Sequence, residues 1–273
     1  MQRKYRPGKG ILWMAIMGMV LGLWGTYRYK PFGKSCCGKK VRSAIQGNPI
    51  HGVLGKNDAP IPSQRVIDAL EARKHRPAVA KDSRLYSLSL APDLGTENLL
   101  LRAIEERDFD DFTAILEDYE TVYMLAYMPW PFGPDRVQKY LKGLSREMEY
   151  GVALYWAITL PEEDHLIGVI GLTLEHEHDR GELHFWLSKK YRRRGYMTEA
   201  AKRVRDYFFR DLSMNRLDVN HLSINMASQR VIEKCGFIFE CEREAYAKKE
   251  GKYENLKFYR LLRREYMGAN GKN

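Results

Sequence analysis

From Leu99 onward the apolar residues recur first with one period and then with another, and each period predicts an element. Leu99 to Ile104 reads as a strand. Asp108 to Asp118 carries Phe109, Phe112, Ile115 and Leu116 at helical spacing, one face of an amphipathic helix. A turn-rich stretch, Met128 to Pro134, precedes a second helix from Asp135 to Glu149. Two strands, Val152 to Thr159 and Leu166 to Leu174, flank an acidic loop and read as a hairpin. Glu182 to Ser188 is a further strand, followed by a basic turn and a helix from Gly195 to Arg210. A strand from Leu217 to Leu222 and a helix from Ala227 to Lys234 come next. Two last strands, Phe237 to Tyr246 and Leu256 to Leu262, meet at a polar turn around Glu250 and Gly251. The order βααβββαβαββ predicts an α/β fold, a mixed sheet with helices on both faces.

The first 95 residues lack this rhythm. Residues 31–95 scatter Pro, Gly, Ser and Lys, with one short helical pattern around Pro62 to Arg73, and read as a linker. Ile11 to Tyr27 is an uncharged run of 17 residues between basic flanks. It is just short of the about 20 residues that span a bilayer. Two readings stay open: an anchor whose downstream Lys and Arg keep the body on the cytoplasmic face of a membrane, or an extension that forms no structure of its own. With an anchor, Cys36 and Cys37 would be juxtamembrane and open to acylation. The expected division is an extension over 1–95, a folded domain over 96–267 and a tail over 268–273.

Charge changes the picture less than its total suggests. The net +10 arises upstream: residues 1–57 hold eleven Lys or Arg and no acid, whereas the rest balances 34 basic against 35 acidic side chains. The domain is therefore near neutral and no nucleic-acid partner is expected, while the basic tail suits an anionic surface. Four cysteines, two adjacent and two six apart, give neither a disulfide framework nor zinc-finger spacing, which points to a reducing, cytoplasmic setting. No dinucleotide glycine fingerprint or P-loop lysine motif occurs, so dehydrogenase and kinase readings fall away. Glu175, His176, Glu177, His178 and Asp179 offer metal-ligand types. Their place in a polar turn between strands suits solvated side chains, and no metal is expected.

The densest chemistry lies at the basic turn. Tyr191, Arg192, Arg193, Arg194, Gly195, Tyr196, Met197, Thr198, Glu199 and Ala200 lead from a strand into a helix N-terminus. A helix start presents unpaired N–H groups and the positive end of a dipole, and a glycine there admits close approach by a phosphate. Three consecutive arginines add charge-assisted donors. An anionic ligand is expected, and a pyrophosphate fits.

Arg192-Arg193-Arg194-Gly195-Tyr196-Met197 resembles the acetyl-CoA signature of the GNAT superfamily of N-acetyltransferases. Thr198, Glu199 and Ala200 continue it as in the RimJ/RimL-like branch, which acetylates N-termini of ribosomal proteins. Asn225, Ser228, Lys234, Gly236 and Phe237 resemble that branch's second motif, and Pro129-Trp130-Pro131 its acceptor-side loop. The resemblance covers Glu97 to Tyr266. It implies a mixed, mostly antiparallel, twisted sheet and an enzyme using acetyl-CoA as co-substrate, with an amine acceptor, either a peptide N-terminus or a small molecule, in a monomer or dimer. The alternative is a domain that binds acetyl-CoA without catalysis.

By the same resemblance the cofactor would lie on Arg192 to Thr198, with Asn225 and Ser228 near its pantetheine arm and an oxyanion donor on the backbone at Leu187 and Ser188. Asn225 and Ser228 also suit a plain helix cap. Direct attack by a neutral amine needs a base rather than an enzyme nucleophile. Glu182 is one candidate, His184 on the same strand face a second, and ordered water a third. Met197 stands where the signature has Gly or Ala. Ile232 stands where many of these enzymes carry a tyrosine acid, which a thiolate leaving group with a pKa near ~8.5 can do without.

Overall fold

The periods read from the sequence resolve into one eight-stranded sheet. The computed structural model describes residues 62–74 and 91–270. The run from Ile11 to Tyr27, Cys36 and Cys37 lie outside them. Among the described residues no helix is long and apolar enough to cross a membrane. The elements are α1 (Gln64–Lys74), β1 (Leu94–Gly95), β2 (Leu100–Arg102), α2 (Phe109–Leu116), α3 (Tyr119–Tyr123), α4 (Pro134–Glu149), β3 (Ala153–Thr159) and β4 (Leu166–Glu175). They continue with β5 (Arg180–Leu187), α5 (Tyr196–Arg210), β6 (Arg216–Leu222), α6 (Met226–Lys234), β7 (Ile238–Lys249), β8 (Lys252–Leu262) and α7 (Arg263–Asn270). The strand order is β1-β2-β3-β4-β5-β6-β8-β7. Every neighbouring pair is antiparallel except β5 and β6.

Both faces of the sheet centre are covered, so β3 is buried at every position. On one face α4 lays down Val137, Leu141, Leu144 and Met148, one helical stripe, and Phe112 of α2 meets Trp186 of β5 edge to face with centroids 4.9 Å apart. On the other face α5 buries Ala200, Ala201, Val204 and Phe208, and its Tyr207 packs on Trp156. Gly181 of β5 has no side chain because Phe208 lies where one would be, 2.8 Å from an ideal Cβ.

The helix expected over Asp108–Asp118 is α2, which stops at Leu116; the short α3 follows it unforeseen, started by Asp118, which accepts the Thr121 N–H at 3.0 Å, the N-cap role that short acidic side chains favour. The pattern around Pro62–Arg73 is a packed helix, α1, with Val66 buried. Arg73 pairs with Asp93 at 2.6 Å and Glu105 at 2.9 Å, so the folded body reaches upstream of the boundary expected near Gly95. A central ion cluster holds that corner. The fully buried Arg102 forks onto both oxygens of Asp108 at 2.7 Å and reaches Asp164 at 2.8 Å.

Candidate active site

The parallel pair is where the sheet fails to close. β5 and β6 are in register only at Arg180 with Arg216, Gly181 with Leu217 and Glu182 with Asp218, yet β5 continues to Leu187 and β6 to Leu222. Beyond Glu182 the two strands splay and leave a gap. The Ser188 N–H donates to the Ile167 carbonyl at 2.9 Å, which sets the phase of the β4–β5 ladder. Antiparallel neighbours bond at alternate residues, so Glu182, His184 and Trp186 spend their backbone groups on β4, while Leu183, Phe185 and Leu187 turn theirs toward the gap. Ser188 was expected to share an oxyanion-donor role with Leu187. Its N–H is already taken, and only Leu187 of the two faces the gap.

At the open end of the gap the chain turns into α5. Arg193 (φ +64°) and Gly195 (φ +86°) are both left-handed, and Gly195, as N-cap, supplies no side-chain cap. The first N–H groups of this 15-residue helix thus face outward without an intrahelical partner. A Cβ on Gly195 would meet no atom within 4 Å, so the glycine borders open space. Arg193 and Arg194 are exposed beside it. Arg192 behaves differently: its guanidinium donates to the Leu187 carbonyl at 3.1 Å and to Thr121 Oγ1 at 2.6 Å, bracing α3 against the end of β5. A cavity of about 280 Å³ opens here between Tyr119, Glu120, Tyr123, Met124 and Arg192.

Glu182 and His184 project on the α4 face, two residues apart along β5, at the point where the strands part. Glu182 accepts a short hydrogen bond from Asn220 Nδ2 on β6, and His184 Nε2 meets Thr173 Oγ1 at 3.2 Å. Tyr127, in the loop after α3, approaches the same spot. Burial first, and then the Glu182 carboxylate and Tyr246, push its hydroxyl above the ordinary tyrosine range. Across the gap Asn225 caps α6, accepting the Ser228 N–H at 3.1 Å, and its Nδ2 donates to the Met124 carbonyl at 3.4 Å. The cap expected of Asn225 is present, and Ser228 contributes its N–H to it. Asn220 was not legible in the sequence, since it reaches Glu182 only through the parallel register of β5 and β6.

A strand pair that splits beside an uncapped, arginine-flanked helix start is a site for a long ligand with an anionic end. The family model for the acetyltransferase (GNAT) domain matches residues 98–238. The chain belongs to this family. The GNAT domain here is 28% identical over 179 residues to the uncharacterized N-acetyltransferase p20 of Bacillus licheniformis, covering 64% of this chain and 98% of that protein. Among solved structures it shares its fold with a ribosomal-protein-S5-alanine acetyltransferase from Vibrio fischeri, at TM-score 0.56, 18% identity and coverage of 63% and 97%. It shares it equally with a spermidine N-acetyltransferase from Vibrio cholerae in complex with CoA and spermine, at TM-score 0.56, 18% identity and coverage of 63% and 99%. Like its family, and in keeping with the RimJ/RimL-like branch, this GNAT enzyme is an N-acetyltransferase with acetyl-CoA as co-substrate.

The residues present fit that co-substrate. The Gly195 cradle and the bare start of α5 suit a pyrophosphate, and the gap between β5 and β6 suits a narrow, amide-bearing arm. Met197, the departure from the signature, is buried, so its bulk points into the core and away from the turn. Ile232 is also buried and α6 brings no hydroxyl from that position. The segment from Glu175 to Asp179 forms a turn in which His178 and Arg180 pair with Glu175 and His176 meets the Gly151 carbonyl at 2.7 Å. Among the described residues no group of three or more His, Cys, Asp or Glu is arranged to hold a metal ion.

Proposed function

We propose that this GNAT enzyme acetylates a primary amine by direct attack on the thioester, with the reacting centre in the gap beside Glu182 and His184. The observation that carries the reading is the split of β5 from β6 immediately after Glu182 and Asp218. It sets free backbone donors, a carboxylate and an imidazole around one opening. In this reading the pyrophosphate rests on the N–H groups from Gly195 to Thr198 with Arg193 and Arg194 outside it, and Asn225 and the edges of the gap border the pantetheine arm. Arg192 holds the turn instead of contacting phosphate.

The amine, neutral when it attacks, forms the new C–N bond as the thioester carbonyl becomes an oxyanion. A gap-facing N–H of β5, at Leu187 or Phe185, is oriented to receive that charge. The carbonyl reforms, the C–S bond breaks and CoA leaves as the thiolate. The ammonium proton goes to Glu182, whose partner Asn220 keeps the carboxylate aimed at the opening, or to His184 one step further out. The protein acts by orienting the two substrates and supplying preorganised dipoles.

The acceptor is a primary amine, and the shared fold of ribosomal-protein and spermidine enzymes does not choose among amines. The deciding experiment measures thiol release from acetyl-CoA with a chromogenic disulfide reagent against a panel of peptides with free N-termini, polyamines and amino sugars. Release with one class assigns the acceptor. Binding of acetyl-CoA with no release for any amine would replace this reading with that of a non-catalytic acetyl-CoA-binding domain.

A further inference from the structure

Residues 119–128 form a strap that crosses the gap, and its ties are unevenly built. At one end Thr121 accepts from Arg192, and Glu120 pairs with Lys189 at 2.6 Å, both on the turn after β5. Along its length the hydroxyls of Tyr119 and Tyr123 donate to Glu250 at 3.0 Å and Glu254 at 2.9 Å on the β7–β8 hairpin. The ties of Tyr119 and Glu120 are exposed and individually weak, while those of Thr121 and Tyr123 are part-buried. Apolar contact anchors it as well: Val122 and Met128 are buried in the main core with Leu125 packed against it, and Ala126 touches a smaller cluster of Leu222, Ala247 and Leu256.

A buried cation adds to these contacts: Lys249, the last residue of β7, is 4% exposed. Its Nζ donates to the carbonyls of Val122 at 3.1 Å, Leu125 at 2.8 Å and Met128 at 2.5 Å. An ammonium has three donors and no acceptor, so these carbonyls satisfy it completely. The carbonyls of Val122 and Leu125 also accept the N–H groups of Leu125 and Met128, at 3.1 and 3.2 Å, so the ammonium sits on a run of turns just past the end of α3, where a cation complements the helix dipole. One side chain thereby sets the path of the backbone from Val122 to Met128, and Tyr127 lies between two of its three acceptors.

We propose that Lys249 is a positioning residue for the acceptor: by gathering the carbonyls of 122, 125 and 128 it holds the strap closed over the gap and fixes the place of Tyr127 within it. The assignment rests on the reading of the gap as the place where amine and thioester meet. Lys249 itself touches neither substrate. Its effect on turnover passes through the wall of the acceptor cleft, whereas the acetyl-CoA turn from Arg192 to Thr198 keeps its own supports.

The test compares the full chain with Lys249→Met, which keeps the stem and removes the donors, and with Tyr123→Phe, which cuts one tie without disturbing a buried charge. Amide hydrogen exchange, which does not depend on activity, should rise in residues 122–130 of Lys249→Met while β3 to β5 stay protected. The same variant should raise the acceptor KM by roughly tenfold or more, with the acetyl-CoA KM within about twofold. Tyr123→Phe should move both readouts in the same direction by less, and it carries the test if Lys249→Met does not fold. Unchanged exchange at 122–130 would overturn the staple. Faster exchange with an unchanged acceptor KM would overturn its positioning role. A wild-type chain that binds acetyl-CoA but turns over no amine would instead remove the reading of the gap, while the exchange data would still report whether Lys249 holds the strap.

Discussion

Gly195 and Gly251 form a matched pair that isolates the contact between the α5 turn and its ligand. Both are left-handed, at φ +86° and +84°, and a Cβ built on either meets no atom within 4 Å. Alanine at either site forces an L-residue into the left-handed region at a cost of roughly 1–2 kcal/mol. For a chain of this size that lowers Tm by about 2–8 °C, alike in both variants. What differs is the space outside. The Gly195 methyl would stand at the bare helix start, whereas Gly251 sits in the turn between β7 and β8. Losing one charge-assisted N–H bond to phosphate costs about 1.5–3 kcal/mol. Gly195→Ala should therefore raise the acetyl-CoA KM about 10- to 100-fold, with Gly251→Ala near wild type. Initial rates of thiol release against acetyl-CoA concentration, with melting curves on the same samples, give both quantities. Equal acetyl-CoA KM values in the two variants would reduce the turn to an ordinary helix start and refute the argument.

Three further outcomes are expected. Glu182→Gln should lower kcat by roughly 10²- to 10⁴-fold with acetyl-CoA affinity kept, and activity should partly return at high pH, where more amine is already neutral. If the loss follows His184→Gln instead, the histidine is the base. For stability, burial alone would raise the Asp164 carboxyl, but hydrogen bonds and charge from Arg107 and Arg102 outweigh it and hold the group at about 2. A depressed carboxylate stabilises the fold above its unfolded pKa near ~3.9 and loses that stabilisation as pH falls toward 2, here on the order of 1–2 kcal/mol after screening. Urea midpoints that fall no faster in the wild type than in Asp164→Asn between pH 5 and pH 3 would count against it. Arg102→Met should destabilise by about 3–5 kcal/mol, because Asp108 is left charged and buried, and adding Asp108→Leu should restore much of the loss. A single variant that melts like the wild type would show that water replaces the guanidinium.

The elements legible from sequence were those whose signal is local. β3 and β4 are long apolar runs, α4 and α5 carry one clear stripe each, and the turn at Glu250 and Gly251 needs only turn chemistry. The elements missed depend on partners far along the chain. β1 is two residues long and exists through its pairing with β2; α1 showed as a short helical pattern, but its packing on the folded body did not. The short α3 was missed too, although its start is written as Asp118, whose side chain caps the N–H of Thr121 three residues on.

The site divides along the same line, and the division has a physical cause. In the proposed site the phosphate end is a helix start, a contiguous device, so Gly195 to Thr198 could be read from adjacent residues. The proposed acceptor end is assembled from a parallel register, Glu182 with Asn220, and from a strap tied down by a lysine more than 120 residues later. Carbonyl groups carry no sequence identity, so nothing in Val122, Leu125 or Met128 announces that they converge on one cation. The same asymmetry bears on what the enzyme acts upon. A contiguous turn binds the cofactor in the same way whatever surrounds it, whereas a wall made of long-range contacts can be rebuilt by changing a few distant residues. Acceptor identity in this fold is therefore to be sought in the strap and its ties to β7 and β8, not in the signature that marks the family.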